Sequence, residues 1–264
     1  MRSIFISLYF IYIVVGLIYS AIMFSISPMG IGWFSSIVAH GIPLFWFLFV
    51  YLGRLTNHSF ASLLTTAGTG TAFLICLGNN RVNGSDDLSA ILPAISLLGW
   101  LIYDRWYVVD VRKTQPMNPG EAFPDIAFKD AQGNDFKLSQ SQKPKVVVFF
   151  SSTWSAFSKF QQKDFERHIS QFKEKGVELY FIGGEQVDSG ASGIHFLTDQ
   201  GQASEQLKLG NRQGMPMGLS IFGFHSPVHR PHLYLLDSNN LFISEHLTTD
   251  FRKLPNSDWA LRFF

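Results

Sequence analysis

The stretch Val146-Val-Val-Phe-Phe-Ser-Ser-Thr-Trp-Ser-Ala-Phe-Ser158 decides how the C-terminal half of this chain is read. With Lys145 ahead of it, the run to Phe150 is apolar and β-branched without interruption, the pattern of a strand buried on both faces of a parallel sheet. A Ser-Ser-Thr-Trp turn follows. Beyond it Phe160, Phe165, Ile169 and Phe172 recur at helical spacing and Gly176 supplies a stop, which predicts a helix over Ser158–Gly176. The strand therefore runs through a turn at Thr153-Trp154 into a helix start that carries two serines, Ser155 and Ser158, three positions apart.

Working outward, the linker Thr114-Gln-Pro-Met-Asn-Pro119 carries two prolines and is expected to be extended. Phe123–Ser139 reads as a hairpin with a Gln132-Gly-Asn turn. Val177–Gly183 is the next strand, so strand, helix and strand form a β-α-β unit. Ile194–Thr198, a helix over Gln202–Leu209, and the strands His232–Leu236 and Leu241–His246 complete an α/β sheet.

This order resembles the thioredoxin-like superfamily and, within it, the alkyl hydroperoxide reductase/thiol-specific antioxidant (AhpC/TSA, peroxiredoxin-like, redoxin) family, over Gly120 to about Pro255. Pro119-Gly-Glu-Ala-Phe-Pro-Asp-Ile126 is similar to the family's opening Gly-x-x-x-Pro-Asp-Phe, and Gly133 sits at its Asp-x-x-Gly hairpin. Phe149-Phe150 stands at its pre-nucleophile strand, Phe196-Leu-Thr-Asp199 is like its Leu-x-Asp strand end, and Leu207–Gly210 is at its Leu-Gly helix end. His229-Arg-Pro-His-Leu-Tyr-Leu-Leu-Asp237 resembles its Arg-x-x-Phe-x-x-Asp strand.

The resemblance implies a peroxiredoxin-like oxidoreductase, with Ser158 at the peroxidatic cysteine position and Ser155 at the peroxide-binding threonine. Thioredoxin-like proteins carry Trp-Cys-x-x-Cys at Trp154–Ser158, so both of their cysteine positions are serine here. Ser151 replaces the family's motif proline. Arg230 falls where the thiolate-stabilising arginine enters, and Pro231 where thioredoxin-like proteins place a cis-proline. The chemistry changes with the atom: a thiolate attacks peroxides and disulfides and is restored afterwards, whereas a serine hydroxyl stays protonated and forms neither a disulfide nor a sulfenic acid. Serine acts as a nucleophile only with a positioned base, and His168, ten residues beyond Ser158, stands about 15 Å along a helix.

The first 107 of the 264 residues have a different character. Ile4–Ile26, Trp33–Leu52, Phe60–Leu77 and Leu88–Tyr103 are apolar all round and of spanning length, about 20 residues against a ~30 Å hydrocarbon core. The first lacks the short core and small-residue cleavage site of a signal peptide. Residues 1–107 are thus expected to be a four-span transmembrane region in a lipid bilayer, with 108–119 a linker and 120–264 the thioredoxin-like domain. Arg2, Arg54, Arg105, Arg112 and Lys113 on one side against Arg81 on the other place the N-terminus and the C-terminal domain in the cytoplasm, and the expected location is the bacterial inner membrane. Within the spans, His40 is expected to be a hydrogen-bonded packing residue, Gly68 and Gly70 to permit close helix approach, and Pro93 to kink the fourth span. The lone cysteine, Cys76, lies in an apolar span about eighteen residues, or roughly 27 Å, from its cytoplasmic end, and is expected to be a small packed side chain.

Net charge is +1 with no Lys/Arg run, so nothing favours nucleic acid. His225, His229 and His232 have no cysteine or nearby carboxylate to complete a zinc site, Ser189-Gly-Ala-Ser-Gly193 lacks nucleophile-elbow spacing, and Gly183-Gly184 lacks the rest of a phosphate loop. No metal or cofactor is expected. The function expected is that of a membrane-anchored, catalytically silent member of a redox family, binding a protein or peptide partner at the groove around Trp154, Phe157 and Pro231. The alternative is a thiol-dependent antioxidant component relying on a partner's thiol.

Overall fold

A computed structural model describes residues 2–26, 30–52, 58–83, 87–109, 117–153, 155–185, 193–209, 211–214, 226–250 and 253–264. The chain divides into a helical unit and an α/β unit.

The helical unit contains α1 (Arg2–Ile26), α2 (Ile31–Tyr51), α3 (His58–Asn83) and α4 (Leu88–Ile102), the last running on into a single π turn at Tyr103–Tyr107. All four are long and apolar enough to cross a membrane. Their patterning is inverted relative to a soluble bundle. On α1 the residues Leu8, Ile11, Val15, Ile18 and Ile22 form an exposed apolar stripe at spacings of three and four, while Ser20, Ser36, His40, Thr69, Ser89 and Ser96 are buried.

Of these buried polar groups, Ser20 and Ser36 share a hydroxyl–hydroxyl bond at 2.8 Å, while Ser96 and His40 pair with main chain. Pro43 has no N–H to give the carbonyl of Ala39, and Ser96 Oγ on α4 donates to that oxygen at 2.9 Å. Tyr9 and Tyr12 hydroxyls donate to Ser96 O (3.0 Å) and Leu92 O (2.6 Å), fixing α1 against α4. His40 Nδ1 lies 2.7 Å from Ser36 O, where its N–H donates, and Nε2 is 3.4 Å from the Tyr12 hydroxyl. The ring fits because residue 16 is glycine: a Cβ there would sit 2.4 Å from His40 Nε2. Gly68 packs against Ile42, as its position in a small-residue stripe predicts, but Gly70 has nothing within 4 Å of where its Cβ would be. Cys76 is buried, its thiol donating to Gly32 O at 3.3 Å. Trp46, Phe47, Trp100 and Tyr103 close one end with edge-to-face ring contacts, and Trp100 Nε1 donates to Thr66 Oγ1 at 2.8 Å.

The α/β unit is built on one seven-stranded sheet of order β2-β1-β5-β4-β3-β8-β9. Its strands are β1 (Ala127–Lys129), β2 (Asp135–Lys137), β3 (Lys145–Phe149), β4 (Glu178–Gly183), β5 (Ile194–Thr198), β8 (His232–Leu236) and β9 (Phe242–Leu247). A separate hairpin joins β6 (Asn211–Gly214) to β7 (Ser226–His229). The helices are α5 (Ala156–Arg167), α6 (Ile169–Glu174), α7 (Gln202–Gln206) and α8 (Ser257–Leu261). β3 is an interior strand, parallel to β4 and antiparallel to β8, and all five of its residues are buried. Side chains alternate faces along it: Val147 and Phe149 join Tyr180, Ile182 and Tyr234 on one side, and Val146 and Val148 join Phe165, Phe172 and Phe181 beneath the helices on the other. The order β4-β3-β8-β9, with α5 and α6 crossing from β3 to β4, is the thioredoxin-like arrangement.

Two expectations are corrected in this unit. The helix expected over Ser158–Gly176 begins earlier, at Ala156, and is broken at His168 (φ −103°, ψ 10°). His168 Nδ1 lies 2.9 Å from Asp164 O and 2.8 Å from Ser257 Oγ, while Ser257 N donates to Asp164 Oδ2 at 2.7 Å. The break is thus a tertiary one, made by the C-terminal segment. The stop at Gly176 is as expected: its φ of +69° lets Val177 N reach Phe172 O (2.9 Å) and Gly176 N reach Lys173 O (3.0 Å), a Schellman closure. The second correction is at Pro231, where no cis peptide bond occurs and the Arg230–Pro231 bond is trans.

Candidate functional site

The site forms where β3 ends. Phe150 extends the strand by one hydrogen bond, its N–H to Ile182 O at 3.0 Å, and the chain then turns through Ser151–Thr153. Trp154 lies outside the described residues. Ser155 is the N-cap of α5: its backbone is extended (φ −70°, ψ 122°), its carbonyl accepts Lys159 N–H at 3.0 Å, and its Oγ accepts the N–H of Ser158 at 3.4 Å. The two serines are therefore joined, but as cap and third helical residue rather than as a reactive pair. The hydroxyl that the family resemblance assigns to peroxide binding is used by its own helix. Ser158 is 5 % exposed and stands in the partly positive first turn of α5.

Beneath that turn lies a cavity of about 200 Å³ lined by Phe150, Ser152, Thr153, Ser158, Lys159, Gln162, Phe181 and Phe196. Phe181 and Phe196 stand within β4 and β5, paired in register, and Phe150 follows the last residue of β3. Phe150 can lie over β4 because residue 183 is glycine; a Cβ there would be 2.5 Å from Phe150 Cζ. Thr153 Oγ1 donates to Glu185 Oε2 at 3.1 Å. Ser152 Oγ is buried without a hydrogen-bond partner among the described residues, an arrangement that costs about 1–3 kcal/mol when left unmet.

Arg230 and Pro231 precede β8 and are buried, and neither lines the cavity. Arg230 Nε donates to Thr248 O at 3.1 Å. The flanking histidines take separate carboxylates. His229 Nε2 is 3.6 Å from Asp199 Oδ2, and His232 Nε2 is 2.9 Å from Glu245 Oε2. Burial pulls both imidazoles below their ordinary pKa, against the raising pull of Asp199 on one and Glu245 on the other. His225, the third member of the sequence cluster, lies outside the described residues, among which no three His, Cys, Asp or Glu side chains group to hold a metal. Sequence reading missed Phe181, Phe196 and Gln162 as site residues. The available signal was an aromatic at corresponding depths of adjacent predicted strands.

The fold and this strand–cap–helix junction define a thioredoxin-like domain. Residues 119–239 match the model of the AhpC/TSA family, and the α/β unit is an AhpC/TSA-family domain. No curated protein matches the sequence. Among solved structures, a cysteine-to-serine mutant of peroxiredoxin 6 from Arenicola marina is similar at 14 % identity and a TM-score of 0.46, over 56 % of this chain and 71 % of that one. A peroxiredoxin-like protein from Aquifex aeolicus matches at 10 % identity and 0.44, over 56 % of this chain and 86 % of that one. A peroxidoxin from Mycobacterium tuberculosis matches at 19 % identity and 0.43, over 56 % and 96 %.

Proposed function

We propose that this is an integral membrane protein whose AhpC/TSA-family domain binds a partner without thiol redox turnover. The observation that carries the reading is the pair Ser155 and Ser158: the family's chemistry needs a thiolate at the head of this helix, and the atoms present are a capping hydroxyl and a buried one. Thiol-based reduction of a peroxide needs a sulfur that takes up oxygen and is then reduced, and the chain's only sulfhydryl, Cys76, is buried in α3. The partner is a protein or peptide at the surface around Phe157, near the head of α5. Membrane insertion is supported by the four apolar helices and their inverted patterning, with hydroxyls and an imidazole inside and aliphatic side chains outside.

The test is peroxidase and disulfide-reductase activity of the full chain in lipid nanodiscs, with hydrogen peroxide or cumene hydroperoxide and dithiothreitol. No turnover above a heat-denatured control is expected. Turnover that persists in a Cys76→Ala variant would overturn the reading.

A further inference from the structure

We infer that the cavity under the first turn of α5 is a binding site for a small, uncharged, single-ring compound carrying one hydroxyl. The inference rests on the reading of this domain as a binding rather than a redox module. Size sets the first limit. A cavity of ~150 Å³ lined by aliphatic and phenyl groups accepts benzene, so about 200 Å³ accepts one ring with a small substituent.

The walls set the second limit. Phe150, Phe181 and Phe196 present three phenyl groups from adjacent strands, surfaces that favour a flat apolar partner. Gly183 keeps this arrangement open, since a side chain there would collide with the Phe150 ring.

Charge sets the third. The cavity lining contains the cation Lys159 and no carboxylate, but the Glu185 carboxylate, bonded to the lining residue Thr153, stands beside it. With one charge of each sign at or beside the wall, neither an anion nor a cation is favoured. The polar end of the ligand is specified by hydroxyls: the Thr153 hydroxyl is already donated to Glu185, whereas Ser152 Oγ is buried with no partner among the described residues, and Ser158 supplies a second hydroxyl from the helix. A ligand hydroxyl, at once donor and acceptor, completes them.

The test uses the full chain in lipid nanodiscs with phenol as probe, and benzoate and benzylammonium as charged counterparts, followed by aromatic ¹H–¹³C NMR and melting temperature. Phenol is expected to give saturable shifts at the Phe150, Phe181 and Phe196 rings and to raise the melting temperature, with both charged compounds at least tenfold weaker. Ser158→Leu, which fills the space, is expected to abolish these shifts. Ser152→Ala, which leaves the space, is expected to weaken phenol about five- to tenfold, the loss of one hydrogen bond. Absence of saturable shifts at those rings would overturn the assignment, as would undiminished affinity in a folded Ser158→Leu or, should that variant not fold, in Ser152→Ala. Peroxide turnover by a protein that still binds phenol would sink the non-redox reading alone; silence toward both peroxide and phenol would sink only the cavity assignment.

Discussion

Ser155 shows how one atom serves the fold. Its Oγ closes the first turn of α5, and serine is among the best residues for that position. Ser155→Ala is expected to cost about 0.5–1 kcal/mol, toward the lower end of N-cap effects because the bond is long at 3.4 Å. Ser155→Asp keeps an acceptor and adds a charge that favours the helix dipole, and should restore or exceed wild-type stability. Urea unfolding of the two variants checks the order; equal stabilities would mean that the cap contributes nothing. His232 gives a second prediction at this scale. Its ring stays neutral in the fold, Nε2–H donating to Glu245, because burial depresses its pKa. Between the unfolded value near 6.5 and the lower folded value, the unfolded chain binds more protons, so stability is complete above about pH 6.5 and is lost as the pH falls toward the folded value. His229 acts in the same direction. The melting temperature of the α/β unit, followed by near-ultraviolet circular dichroism, should fall from pH 7.5 to 5.5. His232→Gln, which keeps an N–H for Glu245 but cannot titrate, should flatten the slope.

At the scale of elements, legibility depended on whether an element's cause was local. β3 was readable from Lys145 to Phe150 because an unbroken apolar, β-branched run between turn signals has few other fates, and the ends read for β5 coincide with those observed. The break at His168 was not, because it is made by Ser257, 89 positions away. The hairpin of β6 and β7 was also missed: Asn211-Arg-Gln-Gly214 has no alternation and carries none of the residues that mark strands. The cavity escaped notice because its three rings come together only through the registry of β3, β4 and β5. A hydrogen bond between helices was equally invisible, although half of it could be inferred. Pro43 announces an open carbonyl at Ala39, but nothing in the sequence says that Ser96 fills it. Ser96→Ala should cost about 0.6–1.7 kcal/mol, the range for such bonds inside membranes. In a Pro43→Ala background the restored main-chain N–H takes that carbonyl, and the same substitution should cost less. A double-mutant cycle by detergent-induced unfolding measures the difference; additive effects would show that Ser96 acts elsewhere.

For the whole molecule we propose, from charge alone, the side of the membrane on which the α/β unit lies. Arg2, Arg54, Arg105, Arg112 and Lys113 fall on one side of the proposed spans and Arg81 on the other, so the positive-inside bias predicts that both ends of the chain face the cytoplasm. A fluorescent protein fused after Phe264 should therefore be bright and alkaline phosphatase at the same point inactive, with the reverse pattern for fusions in the loop after Arg81. Replacing Arg105, Arg112 and Lys113 by glutamine while adding lysines beside Asp86 should increase the inverted fraction. If the unaltered chain already gives active phosphatase at its C-terminus, the charge argument fails. The α/β unit would then face an oxidising space without a thiol, and its partner would be sought on that side of the membrane.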